Sequence, residues 1–175
     1  MRIFVTGASG WIGSAVIPEL LDAGHKVVGL ARSDTAAASV AALGAEVQHG
    51  NLDDLDGLRS AAAASDGVVH LGYSHDFSQM EAAARTDLAV INTIGAELAG
   101  TDRPFVVAAG VLGLASGRVA TEWDQPDPRA HPRIAGIQAA MSFAARGVRA
   151  SSVRFAPTVH GAGDHGFLAT LVGIA

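Results

Sequence analysis

The sequence predicts an α/β fold, a doubly wound parallel sheet with helices on both faces, and three observations carry that expectation. Short apolar runs alternate with helix-patterned segments from one end of the chain to the other, the pattern of βαβ crossovers. The runs read as continuous rather than alternating, as in strands buried on both faces. The first run leads directly into glycines spaced by three and then a second apolar stretch, MRIFVTGASGWIGSAVI.

Six segments read as strands: Arg2–Thr6, Lys26–Ala31, Glu46–His49, Val68–Leu71, Phe105–Ala109 and Ala150–Phe155. They are short and mostly rich in Val, Ile and Phe, residues that suit a pleated, buried surface. Between them, Trp11–Ala23, Thr35–Leu43, Leu55–Ala64, Phe77–Ala99 and Ile134–Arg146 read as helices. Gly24 and Gly44 stand where helix C-terminal glycines belong, and Asp53 or Asp54 is placed to cap the helix that carries Leu55 and Leu58. The alanine-rich stretches AAASVAAL and SAAAAS are good helix formers.

At 175 residues the chain is sized for one domain, 1–175. Apolar residues at 49% and charged residues at 17% mark it as globular. The net charge of -5 is scattered without a basic stripe, which argues against nucleic acid as a partner. The lack of cysteine excludes disulfides, thiolate nucleophiles and cysteine-ligated zinc. The histidines show no HExxH or comparable ligand spacing, so no metal site is expected. No apolar run reaches the length of a membrane span and no signal peptide is visible, so a soluble cytoplasmic protein is expected. The last stretch, FLATLVGIA, reads as an amphipathic helix with no stop signal. The chain therefore reads as truncated, or as the N-terminal part of a longer one.

A strand, then Gly7-x-x-Gly10-x-x-Gly13, then a helix is the arrangement that phosphate binding needs. Gly7 permits the tight turn, Gly10 lets backbone approach a pyrophosphate, and Gly13 lets helix and strand pack closely. The helix N-terminus, with Trp11 and Ile12 in its first turn, offers free N–H groups and a partial positive charge. Thr6 and Ser9 add hydroxyls beside the turn. A nicotinamide dinucleotide is the expected cofactor.

The spacing in TGASGWIG resembles that of the short-chain dehydrogenase/reductase superfamily, in its extended branch, the NAD-dependent epimerase/dehydratase family. GHKVVGLARS, GNLDD, DGVVHLG, RPFVVAAG and VRFAPTVHGAGD follow in that family's order and spacing. The resemblance covers essentially the whole chain and implies a Rossmann-type fold, with the C-terminal substrate lobe truncated or absent. It also implies that Asn51 and Leu52 contact the adenine, and that Leu71 and Gly72 pass beneath the centre of the cofactor. Leu71 has core packing as its ordinary role, and the two are compatible. Homodimerisation through the fourth and fifth helices is usual in the superfamily. The apolar face of Leu88, Ile91 and Leu98 allows it, although the same residues suit a core.

The end of the second strand reads Leu30-Ala31-Arg32-Ser33. Ala31 stands where an acid would bond the ribose hydroxyls of NAD, and Arg32, with Ser33 beside it, suits the 2′-phosphate of NADP. NADP is the expected nucleotide. NAD stays open, because Arg32 has plain solvation as its alternative and Asp34 lies within reach of a ribose.

The resemblance further implies a Tyr-x-x-x-Lys pair on the fifth helix and a hydroxyl residue after the fifth strand. This chain has a single tyrosine, Tyr73, and a single lysine, Lys26, so no such pair exists within it. The corresponding segment reads Ala130-His131-Pro132-Arg133-Ile134-Ala135-Gly136, and Ala108-Ala109-Gly110-Val111 follows the fifth strand. Replacement proton donors are Tyr73, His75 and Asp76 in GYSHDF, at the carboxyl edge of the sheet where a nicotinamide belongs. A second set is His160, Asp164 and His165 in VHGAGDHG, with Ser116 and Glu122 as weaker candidates. Each has an ordinary alternative, a loop side chain bonding its own backbone. The sequence thus points to an NAD(P)-binding oxidoreductase-like protein that transfers hydride to or from a small carbonyl or alcohol. A non-catalytic NAD(P)-sensing protein is the alternative, and a nucleotide-sugar epimerase or dehydratase comes third.

Overall fold

The computed structural model describes residues 1–115, 117–163 and 167–174. The elements run β1 (Arg2–Thr6), α1 (Trp11–Asp22), β2 (Lys26–Ala31), α2 (Asp34–Ala42), β3 (Glu46–His49), α3 (Leu55–Ala63) and β4 (Gly67–His70). They continue as α4 (Met80–Leu98), β5 (Pro104–Ala109), α5 (Ile134–Ser142), β6 (Arg149–Arg154) and α6 (Phe167–Ile174). The strands form a six-stranded sheet in the order β3-β2-β1-β4-β5-β6, and all neighbouring pairs are parallel. The chain leaves β1 toward β2 and β3 on one side and returns to β4, β5 and β6 on the other. The carboxyl ends of β1 and β4 therefore frame the switch point where such sheets bind ligands.

Two cores cover the two faces, and β1 feeds both because successive side chains of a strand point oppositely. Ile3 and Val5 join Ile17, Val27 and Val40 under α1 and α2. Phe4 points the other way, into Leu58, Val68, Ile91, Ile94, Leu98, Phe105 and Phe143 under α3, α4 and α5. Ile91 and Leu98 are thus enclosed in the domain's own core, at 2% and 0% exposure, and are not available as a dimer seam. Gly24 and Gly44 end α1 and α2 with φ of +81° and +88°. Asp54 is the cap of α3, its Oδ1 accepting from Gly57 N at 3.0 Å. One cation ties several chain ends together: Arg103 donates to the carbonyls of Ala62, Ser65 and Glu97 at 2.9, 2.7 and 3.1 Å.

Four expectations need correction. The fourth strand is Gly67–His70; Leu71 N still donates to the Thr6 carbonyl at 3.2 Å, and Gly72 then packs against Gly7 in the turn after β1. The segment expected as one helix from Phe77 opens with a 3₁₀ turn, Phe77–Gln79. There Asp76 Oδ1 accepts from the backbone N and the hydroxyl of Ser78 at 3.0 and 2.6 Å. The fifth helix likewise passes into 3₁₀ at Phe143 and stops at Gly147, φ +73°. Finally, β6 is not buried on both faces: as an edge strand it alternates exposed and half-buried residues. Among the described residues, no helix is long and apolar enough to cross a membrane.

Candidate functional site

The turn between β1 and α1 is built from close backbone approaches. Gly7 adopts φ +67°, and a Cβ there would lie 2.7 Å from the backbone N of Gly72. A Cβ on Gly13 would lie 2.2 Å from the Gly7 carbonyl oxygen, so any side chain would push α1 off the loop. Gly10 is the N-cap of α1, and among the described residues no side chain caps that end. The first N–H groups of the helix are left to an anion. Ser9 and Gly10 are exposed over this opening. The residues present therefore fit the diphosphate of a dinucleotide: an uncapped helix start, and glycines where a side chain would crowd the turn.

Beneath the cradle lies a buried polar line. Gly72 N donates to Thr6 Oγ1 at 3.1 Å, Thr6 Oγ1 meets His70 Nδ1 at 2.6 Å, and His70 Nε2 meets Asp87 Oδ1 at 3.2 Å. Thr6, His70 and Asp87 are all fully or nearly enclosed. The other Asp87 oxygen faces Arg133 Nε at 3.8 Å. The Arg133 guanidinium donates from Nη2 to the Ala108 carbonyl at 3.2 Å, and its Cζ lies 4.1 Å from the centre of the Tyr73 ring. His75 closes the group, edge-to-face with Tyr73 at 5.5 Å between ring centres.

Tyr73 and His75 therefore meet at the rim, as the sequence suggested, but in an unforeseen electrostatic setting. Burial pushes the Tyr73 phenol above its ordinary value, the Arg133 cation pulls it back, and the Asp87 carboxylate adds to the rise. The Tyr73 hydroxyl is enclosed and has no hydrogen-bond partner among the described residues. Burial and then Arg133 lower His75, so its ring is neutral at pH 7. Asp76 is corrected as a proton donor. The hydrogen bonds from Ser78 hold its carboxyl below the usual range, so it is ionised.

The other expected contacts are placed as follows. Arg32 is exposed at the end of β2, with Ala31 buried beside it. The Ser33 hydroxyl accepts from Ala36 N at 3.2 Å and so serves as the cap of α2. Asn51 Oδ1 accepts from the backbone N of Asp53 and Asp54 at 2.8 and 3.2 Å, which fixes the turn before α3. Leu52 packs on the core under α3, and a Cβ on Gly72 would lie 3.2 Å from Leu52 Cδ2. Leu71 packs on the opposite core. The Trp11 indole donates to the Val159 carbonyl at 2.8 Å, tying the loop after β6 across the start of α1. Ile12 and Phe155 share the apolar cleft that results. His160 is exposed in that loop. Glu122 contributes its backbone carbonyl to Arg154 at 3.3 Å. Ser116, Asp164 and His165 lie outside the described residues.

The sequence reading missed Asp87, His70 and Arg133 as a group. The available signal was Arg133, which stands in the segment where the Tyr-x-x-x-Lys pair would lie.

The strand order together with a glycine cradle at the switch point defines the class, a dinucleotide-binding α/β domain of the Rossmann type. The chain belongs to the NAD dependent epimerase/dehydratase family, whose family model matches residues 3–99. It is 46% identical over 176 residues to an uncharacterized protein of Schizosaccharomyces pombe, covering 100% of this chain and 60% of that protein. A shorter match, 38% over 69 residues, is to the decarboxylating sterol-4-alpha-carboxylate 3-dehydrogenase of Dictyostelium discoideum, covering 39% of this chain and 21% of that enzyme. Among solved structures, the UDP-glucose 4-epimerase of Thermus thermophilus, in complex with NAD, superposes with a TM-score of 0.77 at 21% identity. That match covers 99% of this chain and 61% of the epimerase. The chain thus spans about three fifths of the length of these full-length matches.

Proposed function

We propose that the protein is a nicotinamide-dependent oxidoreductase acting on a small carbonyl or alcohol, with NADP preferred over NAD. The observation that carries the reading is the placement of Tyr73 and His75 directly after Gly72, whose backbone packs against Gly7 of the cradle. A phenol and a neutral imidazole thus stand at the carboxyl edge of the sheet, just beyond the backbone that touches the phosphate turn.

When bound, the nicotinamide supplies or accepts the hydride. The chain's part is to hold, orient and exchange a proton. The α1 N-terminus and the turn at Gly7–Gly10 bind the diphosphate through backbone N–H groups. Arg32 offers its guanidinium to a ribose phosphate. Tyr73 Oη gives the proton to the substrate oxygen in reduction and takes it in oxidation. His75, neutral at pH 7, relays that proton to solvent.

The test is nicotinamide absorbance against a panel of small aldehydes and ketones, with the Tyr73→Phe, His75→Ala double variant as control. Turnover by the wild type and its loss in the double variant are expected. Full turnover by the double variant would remove these residues from the reaction. A second reading, a nucleotide-responsive protein without catalysis, is favoured by the enclosed Tyr73 hydroxyl. Tight nucleotide binding with no turnover on any carbonyl would select it.

A further inference from the structure

We infer that Arg133 is the positioning residue for the Tyr73 phenol, an inference that rests on the oxidoreductase reading above. A proton donor from the loop after β4 is paired with a cation from the start of α5, and a buried carboxylate on α4 holds that cation in place.

A phenol is a useful acid near neutral pH only if the phenolate it leaves is stabilised. The chain's single lysine, Lys26, opens β2 and takes no part at this rim. Among the described residues, Arg133 is the cation that stacks on Tyr73, with its Cζ 4.1 Å from the ring centre. The guanidinium is mostly enclosed, at 19% side-chain exposure. A charge so sheltered acts on a neighbouring phenol more strongly than one in water.

Two contacts from separate elements and one local contact hold the residue. Nη2 donates to the Ala108 carbonyl, near the end of β5. Nε faces Asp87 Oδ2 at 3.8 Å, and the backbone N of Arg133 donates to His131 Nδ1 at 3.2 Å. Asp87 is itself pinned by His70. Gly136, in the first turn of α5, makes the approach feasible: a Cβ there would lie 2.7 Å from Asp87 Oδ2. Three charged or titratable groups face the phenol, namely Arg133 from the start of α5, Asp87 from α4 and His75 from its own loop. Burial opposes its ionisation most and leaves the phenol above its ordinary value; of the three groups, Arg133 eases ionisation and Asp87 opposes it.

In the proposed reduction, the Tyr73 Oη proton passes to the substrate oxygen, and Arg133 balances the phenolate until water returns a proton through His75. The pair carries no net requirement for Lys26 or for a hydroxyl after β5.

Tyr73 is the only tyrosine in the chain, so its Cζ chemical shift reports on this phenol alone. The experiment is a pH titration of that signal in the wild type, R133K and R133M, with nucleotide affinity measured by calorimetry in parallel. R133M should raise the Tyr73 midpoint by about one pH unit, while R133K keeps most of the wild-type value. A midpoint unmoved in folded R133M overturns the inference. If R133M does not fold, the wild type decides through ring-current shifts of the Arg133 side-chain protons. Upfield displacement that disappears in Tyr73→Leu is expected, and its absence overturns the inference. Turnover is not the readout. A chain that binds nucleotide but reduces no carbonyl ends the oxidoreductase reading while the titration still judges Arg133.

Discussion

Thr6 and His70 sit opposite each other in register on β1 and β4, and their side chains meet at 2.6 Å between Oγ1 and Nδ1. One tautomer of His70 satisfies every group in this line. Asp87 accepts from His70 Nε2–H, so Nδ1 is the acceptor and takes the Thr6 hydroxyl proton. The Thr6 oxygen then remains free to accept from Gly72 N. The cradle floor is thereby fastened to α4 through side chains with almost no access to solvent.

Thr6→Val keeps the shape of the side chain and removes its hydrogen bonds. Gly72 N–H and His70 Nδ1 are then buried without partners, which costs about 1–3 kcal/mol for an unsatisfied group. Urea denaturation should show that loss with an unchanged slope. Nucleotide affinity should fall as well, because Gly72 packs directly against Gly7.

Gly13→Ala places a methyl where the Gly7 carbonyl oxygen stands, at a distance of 2.2 Å. The helix must shift away from the loop, at about 1–3 kcal/mol of overpacking strain. Calorimetry should find nucleotide binding abolished or weakened by more than about tenfold, the equivalent of ~1.4 kcal/mol. Unchanged binding would show that the cradle is not the nucleotide site.

Arg32→Ala should separate the two nucleotides. The side chain is exposed, and a charge-assisted bond to a phosphate is worth about 1.5–3 kcal/mol. NADP affinity should therefore fall by roughly 10–150-fold while NAD affinity barely changes. Parallel Kd measurements for both nucleotides decide the matter, and equal losses would remove Arg32 from the 2′-phosphate.

His75 should make folding weaken on the acid side. Its folded value lies below the ordinary 6.5, through burial first and the Arg133 charge second. Above that ordinary value both folded and unfolded rings are neutral and nothing is lost. As pH falls through it the unfolded chain takes up a proton first, so stability declines until the folded ring also titrates. The imidazole signal of His75 should titrate with a midpoint below 6.5, and the midpoint should rise in R133M. His75→Asn should lose less stability than the wild type between about pH 7.5 and 5.5.

The fold was largely legible because its signals are local. Continuous apolar runs, the glycines after α1 and α2 and the Asp54 cap each act within a few residues of where they stand, so strand positions were read to within one residue. The misreadings have equally specific causes. The Asp76 side chain interrupts the fourth helix by bonding Ser78, a competition between side chain and backbone that periodicity does not reveal. For Ile91 and Leu98 the sequence leaves core and dimer seam both open, because an apolar helix face does not state what it packs against, and the structure places both in the core.

By itself, the sequence determined a six-stranded dinucleotide fold, its glycine cradle, and the absence of a Tyr-x-x-x-Lys pair within these residues. Only the tertiary structure decided that Thr6, His70, Asp87, Arg133 and Tyr73 form one connected line, drawn from two strands, two helix regions and a loop. Local pattern is set by neighbours along the chain. This line depends on strand register, on the closeness of α4 and α5 that Gly136 permits, and on the exclusion of water from the charges between them, and those are properties of the folded sheet.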